Sequence, residues 1–74
     1  MISEIDRIAS GGAGVHGKAQ ILTMHFGPEE ILVAVSLKVR AGSAITVLGE
    51  IGEEIRAMLE SRFGLRAQVY VRTL

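Results

Sequence analysis

The sequence has no cysteine and no tryptophan, and only one proline, one tyrosine and two phenylalanines. Without cysteine there is no disulfide, no thiolate metal site and no thiol nucleophile, and the redox compartment stays open. No sign of charge dominates, because eight Lys and Arg balance eight Asp and Glu. That removes the bulk electrostatic case for a nucleic-acid or anionic-membrane binder. Long apolar runs are missing too: the longest is Ile31 to Val35, against about 20 residues for a membrane-spanning helix. Direct membrane insertion by this segment is not expected. The chain opens on Ser3, Glu4, Asp6 and Arg7 instead of a basic and then an apolar stretch, which argues against a secretory leader and for a cytosolic piece.

What is present is apolar for a water-facing chain. Of its 74 residues 49% are hydrophobic, and mean hydropathy is +0.39. At this length burial barely exceeds the entropy of ordering the chain, so one domain over residues 1–74 with thin stability is expected, and a partner subunit would help.

Five segments carry secondary-structure signals. Ser3 with Asp6 has the form of an N-terminal capping box, and Ile2, Ile5 and Ile8 or Ala9 share a helical face, which predicts a helix over about 3–10. Gly11, Gly12 and Gly14 then break it. A strand is predicted over about 18–26, with Leu22, Met24 and Phe26 on its apolar side and Ile21, Thr23 and His25 on the other. Gly27-Pro28 supplies a turn. Over 31–40, Ile31, Val33, Val35, Leu37 and Val39 alternate with Leu32, Ala34, Ser36, Lys38 and Arg40, the clearest strand pattern in the chain. Gly42 and Ser43 close it. A helix over about 46–63 follows from Leu48, Ile51, Ile55, Met58, Leu59 and Phe63 at steps of three and four, with Gly64 at the left-handed cap position. Leu65, Ala67, Val69 and Val71 alternate with Arg66, Gln68, Tyr70 and Arg72 in a last strand over about 65–72.

The order α-β-β-α-β predicts an α+β two-layer sandwich: a three-stranded mixed sheet, the last strand parallel to the second, with two helices on one face. On that reading Leu22, Met24 and Phe26 lie under the helices with Ile31 to Val39. Ile21, Leu32 and Ala34 lie on the opposite face beside Lys38, Arg40, Arg66, Tyr70 and Arg72. A partly apolar face without intrachain cover is a docking candidate. The bet for a dimer interface is Leu32, Ala34 and Tyr70 with Lys38, Arg40, Arg66 and Arg72 at the rim.

Catalytic constellations are missing: there is no Ser/His/Asp order, nucleophile elbow or paired-carboxylate arrangement, so no enzyme is expected. His16 and His25 are the only imidazoles and have no ligand spacing. They read as ordinary polar histidines in a loop and on the outer face, and remain the candidates for a noncognate metal site. Glu50, Glu53 and Glu54 read as a solvated helix face. The glycines from Gly11 to Gly17 follow a helix and precede a strand, the reverse of a phosphate loop. Tyr70 with Arg66 and Arg72 is too sparse for a nucleic-acid stacking platform.

The run Ala13-Gly14-Val15-His16-Gly17, continuing through Ile21-Leu22-Thr23-Met24-His25-Phe26-Gly27-Pro28, resembles the start of the cytosolic C-terminal domain of cation diffusion facilitator transporters. The similarity extends over the alternating strand, the long helix with Phe63 near its end and the closing strand, and so covers nearly the whole chain. The resemblance implies a ferredoxin-like, metallochaperone-like fold lacking its first strand. It further implies a homodimer that helps regulate a membrane domain exporting Zn²⁺ or a related divalent ion, on the cytoplasmic side of the cell membrane. Many members bind metal here through a His-Asp pair on the first strand, a His on the second and a His or Asp near the end of the third. Counting back from Gly27-Pro28 puts Ala19 and Gln20 at the first pair. The second-strand position falls on Val35 or Ser36, and the third-strand positions fall near Val71 and Thr73. Such side chains lack the donors that offset ion dehydration, so no bound cofactor is expected, and zinc enters only as the ion a parent transporter moves. The alternative is a stand-alone small-molecule or metal-sensing module on the same fold.

Overall fold

The computed structural model describes residues 1–40 and 45–74; Gly42 and Ser43, read as closing the second strand, lie outside them. The elements run α1 (Ile2–Ser10), β1 (Val15–Gly27), β2 (Glu30–Val39), α2 (Ile45–Phe63) and β3 (Arg66–Thr73). This is the expected α+β order. β2 is central, antiparallel to β1 and parallel to β3.

The core forms on one face of β2. Ile31, Val33, Val35 and Leu37 are all buried, packed with Ile5 and Ala9 of α1 and with Ile51, Ile55, Met58 and Leu59 of α2. Both helices therefore roof the same side of the sheet. The alternation of β2 decides this, because period-two placement sends every second residue to the roofed face.

Several local expectations are corrected. Ser3 does not cap α1: the helix already includes Ile2, no side chain caps it, and the Ser3 hydroxyl donates to Glu4 Oε1 at 2.7 Å. β1 begins at Val15, not near Lys18, so His16 sits in the strand and not in the turn before it. Phe63 is 39% exposed at the end of α2. Gly64 does take the left-handed conformation, φ 64°, where the chain leaves the helix, and its N–H donates to the Glu60 carbonyl at 3.1 Å. Gly12 lies close against α2: a Cβ there would fall 2.5 Å from Ile51 Cδ1, so that side chain would have to shift.

The main correction concerns the facing of β1. Gly27 pairs with Glu30, and continuing that register would set Phe26 opposite Ile31 and Met24 opposite Val33. Instead His25 pairs with Ile31, Thr23 with Val33 and Ile21 with Val35. Phe26 is an extra residue bulged out of the ladder, and a one-residue slip moves every side chain of a strand to the other face. Ile21 thus packs toward the core, while Leu22 and Met24 leave the helix side altogether. They are 67% and 52% exposed.

Candidate docking face on the uncovered side of the sheet

The slip builds the site. Leu22 pairs with Ala34 and Met24 with Leu32 across β1 and β2, and Ala34 pairs with Tyr70 across β2 and β3. These residues form a continuous apolar patch on the face that, among the described residues, no helix covers. Tyr70 is 61% exposed, and Phe26, equally exposed, extends the patch toward the β1–β2 turn. Leu32, Ala34 and Tyr70 were candidates from sequence; Leu22, Met24 and Phe26 were not, having been assigned to the core. The signal that could have found them is the ambiguity of β1 itself, where both alternating sets are apolar enough to be buried.

The ends of the face are polar. At the turn end, Arg66 bridges to Glu30 at 3.0 Å on the neighbouring strand, both side chains well exposed. At the other end Ser36 is buried, and its hydroxyl accepts from Arg72 Nε at 3.0 Å. Gln20 lies directly across from Ser36, giving a row Gln20–Ser36–Arg72 over all three strands. Lys38 is exposed beyond it, level with His16. Arg40 follows β2, its N–H donating to the Gly14 carbonyl at 2.8 Å. The rim cations Lys38 and Arg72 thus gather at one end, and the ion pair occupies the other.

At the expected ligand positions the structure places Gln20 and Ser36 side by side. Ala19 and Val71 point toward the core, and Thr73 is exposed at the end of β3. The Ser36 oxygen is engaged by a guanidinium, a fixed cation among these positions. His16 and His25 stand nine places apart on β1, roughly 30 Å at the rise of an extended strand. One ion could reach either imidazole but not both. Among the described residues no three His, Asp or Glu side chains converge.

The outward face of α2 carries its own network. Arg56 bridges Glu53 and Glu60, at 2.9 Å to the latter, and its hydrogen bonds hold the Glu53 carboxyl below the ordinary carboxylate range. All three are solvent-exposed, so the network tunes the surface and adds little stability.

No protein-family model and no curated protein matches the sequence. Among solved structures the fold is similar to one described for the mode of action of a candidate zinc transporter, CzrB. The TM-score is 0.55 at 22% identity, over 99% of this chain and 92% of that one. At that identity the likeness speaks to the fold. Among the described residues no helix is long and apolar enough to cross a membrane.

Proposed function

We propose that the chain is a non-catalytic dimerisation and regulatory domain of a divalent-cation efflux transporter of the cation diffusion facilitator kind. It would lie on the cytoplasmic side of the membrane, pair with a second copy, and couple to a membrane domain that moves zinc or a similar ion. The observation that carries this reading is the uncovered face: Leu22, Met24, Phe26 and Tyr70 stand more than half exposed on one side of the fold. The sequence resemblance and the fold shared with a structure described as a zinc transporter's support the same assignment. The domain would pair without bound metal, because Ala19, Gln20, Ser36, Val71 and Thr73 occupy the ligand positions.

The magnitudes favour a weak dimer. Full burial of a large apolar side chain contributes roughly 1.5–3 kcal/mol, and these four start partly covered, so eight of them across a pair supply about 6–16 kcal/mol. Association costs on the order of 4–15 kcal/mol. The two nearly cancel, and tethering to membrane domains would raise the effective concentration enough to close the pair. Sedimentation equilibrium from about 10 to 500 µM, a range bracketing such affinities, should show a reversible monomer–dimer equilibrium. Leu22→Glu should shift it to monomer, since two buried carboxylates would then face an apolar patch. A wild-type chain that stays monomeric throughout that range overturns the pairing and returns the reading to a stand-alone sensing module.

A further inference from the structure

The sheet has two edges, and they are built differently. β1 is irregular at both ends of its pairing, between His16 and Gln20 and between His25 and Gly27, and Gly17 within it has φ 73°. Lys18 is exposed at that first irregularity. Bulges and lysines are devices that stop another strand from adding to an edge. β3 has none of them. It pairs with β2 residue for residue from Glu30–Arg66 to Leu37–Thr73, without a shift.

The free side of β3 presents a regular row of backbone groups. The Arg66 N–H donates to the Glu29 carbonyl and the Leu74 N–H to the Leu37 carbonyl, both at 2.7 Å. Between those anchors the two-residue period of the ladder turns the N–H and C=O of Ala67, Val69, Val71 and Thr73 outward. Among the described residues none of these groups has a partner.

Among the described residues no strand pairs with this edge, and helix α2 packs beside it. An open groove of about 460 Å³ runs between them, lined by Leu48, Gly49, Gly52, Val69 and Val71 and also by the bridged pair Glu53 and Arg56. A Cβ on Gly52 would touch Val71 at 3.3 Å, but one on Gly49 would meet nothing within 4 Å. Gly49 and Gly52 thus leave a gap in the helix wall of the groove between the side chains of Leu48, Glu53 and Arg56.

The chemistry of the occupant follows from these surfaces. Backbone pairing demands an extended segment. Its residues opposite Val69 and Val71 would enter the groove, where Leu48, Val69 and Val71 favour small apolar side chains and the charges of Glu53 and Arg56 already satisfy each other. Its alternate residues run beside Arg66, Gln68, Tyr70 and Arg72, a row with two cations and no anion. Arg66 already has Glu30, whereas among the described residues Arg72 has only the Ser36 hydroxyl. An acidic side chain level with Arg72 complements it, and a second copy of β3 would instead crowd four arginines onto one edge. We infer that the open edge of β3 is a strand-addition site, taking an extended segment of a partner protein with alternating small apolar and acidic residues, seated antiparallel beside Gly49 and Gly52. This surface is distinct from the apolar sheet face, and the inference stands independently of pairing there.

The test uses the 74-residue chain and blocked octapeptides of alternating valine and glutamate, with backbone amide exchange read by NMR. The valine–glutamate peptide should slow exchange at Ala67, Val69, Val71 and Thr73 by at least about tenfold. The valine–lysine counterpart should bind at least about tenfold more weakly. Methylating the valine nitrogens, the donors that face the edge, should abolish protection. Gly49→Leu should block the groove without lowering the thermal midpoint, because its Cβ enters open space on a helix. Leu22→Glu should leave peptide binding intact, which separates this site from the pairing face. No protection at millimolar peptide, or equal binding of the lysine peptide, overturns the inference. So does edge protection that appears without peptide and rises with protein concentration, since a second copy would then be the occupant.

Discussion

Replacing Gly49 by alanine should make the protein more stable. Gly49 lies inside α2, Ile45–Phe63, where glycine costs roughly 0.5–1 kcal/mol relative to alanine through lost backbone freedom. A methyl there touches nothing within 4 Å, so no packing penalty offsets the gain. For a domain of this size about 1 kcal/mol moves the thermal midpoint by roughly 4–8 °C, a large effect on a total of about 3–5 kcal/mol. Gly52→Ala gains the same backbone term, but its methyl sits 3.3 Å from Val71 Cγ2, and the net should be close to zero. Gly12 lies outside any helix, and its methyl would meet Ile51 Cδ1 at 2.5 Å and Val15 Cγ2 at 3.0 Å. Overpacking of that kind costs about 1–3 kcal/mol. Urea unfolding at unchanged slope should therefore rank Gly49→Ala first, wild type and Gly52→Ala together, and Gly12→Ala last. A destabilised Gly49→Ala refutes the helix placement, and a neutral Gly12→Ala refutes the close approach of the loop to α2.

Two further outcomes can be checked on the same material. Glu4 is held down to about 2 from its ordinary 4.5, first by the Ser3 hydroxyl, with the backbone N–H and the terminal ammonium helping. A depressed folded pKa contributes stability that is complete above about 4.5 and is lost as pH falls toward about 2; Glu4→Gln should flatten that part of the acid limb in urea midpoints measured across it, and an unchanged limb would show that Glu4 is not held. Zinc should leave the urea midpoint where it is: a micromolar site at 100 µM ion would add about 2.7 kcal/mol, and a stabilisation of that size, or a stoichiometric calorimetric event lost on changing His16 or His25, would restore a metal role to the domain.

The central strand and the long helix were legible because each pattern has one reading. Ile31, Val33, Val35, Leu37 and Val39 keep one side of the strand wholly apolar, while Ser36 and Lys38 make the other side polar beyond Leu32 and Ala34, which decides its roofed side. Ile51, Ile55, Met58 and Leu59 of the α2 stripe are all buried, and Gly64 stops the helix with the one backbone conformation a bulkier residue resists. The capping of α1 was less legible, because Ser3 satisfies a local motif that the preceding turn, already helical from Ile2, leaves unused. β1 was least legible. Its facing depends on one bulged residue at Phe26, and no periodicity within a strand reports the register of its partner.

The competing register shows why the bulge forms and what it leaves behind. Without the slip, Leu22, Met24 and Phe26 would enter the core in place of Ile21, Thr23 and His25, which by side-chain burial alone is favourable by a few kcal/mol. The same shift would carry Lys18 and Gln20 inward, under α1, where Ala19 and Ile21 now pack. Gln20 would lose solvent without a partner, at about 1–3 kcal/mol, and a buried lysine costs more unless it gives up its charge. Both are exposed as the strand stands. The polar half of β1 thus outweighs its apolar half, and the slip resolves the conflict by turning Leu22, Met24 and Phe26 outward, onto the face where Leu32, Ala34 and Tyr70 already lie. The apolar surface is a direct consequence of where Lys18 and Gln20 must go, and its burial is left to something outside the fold.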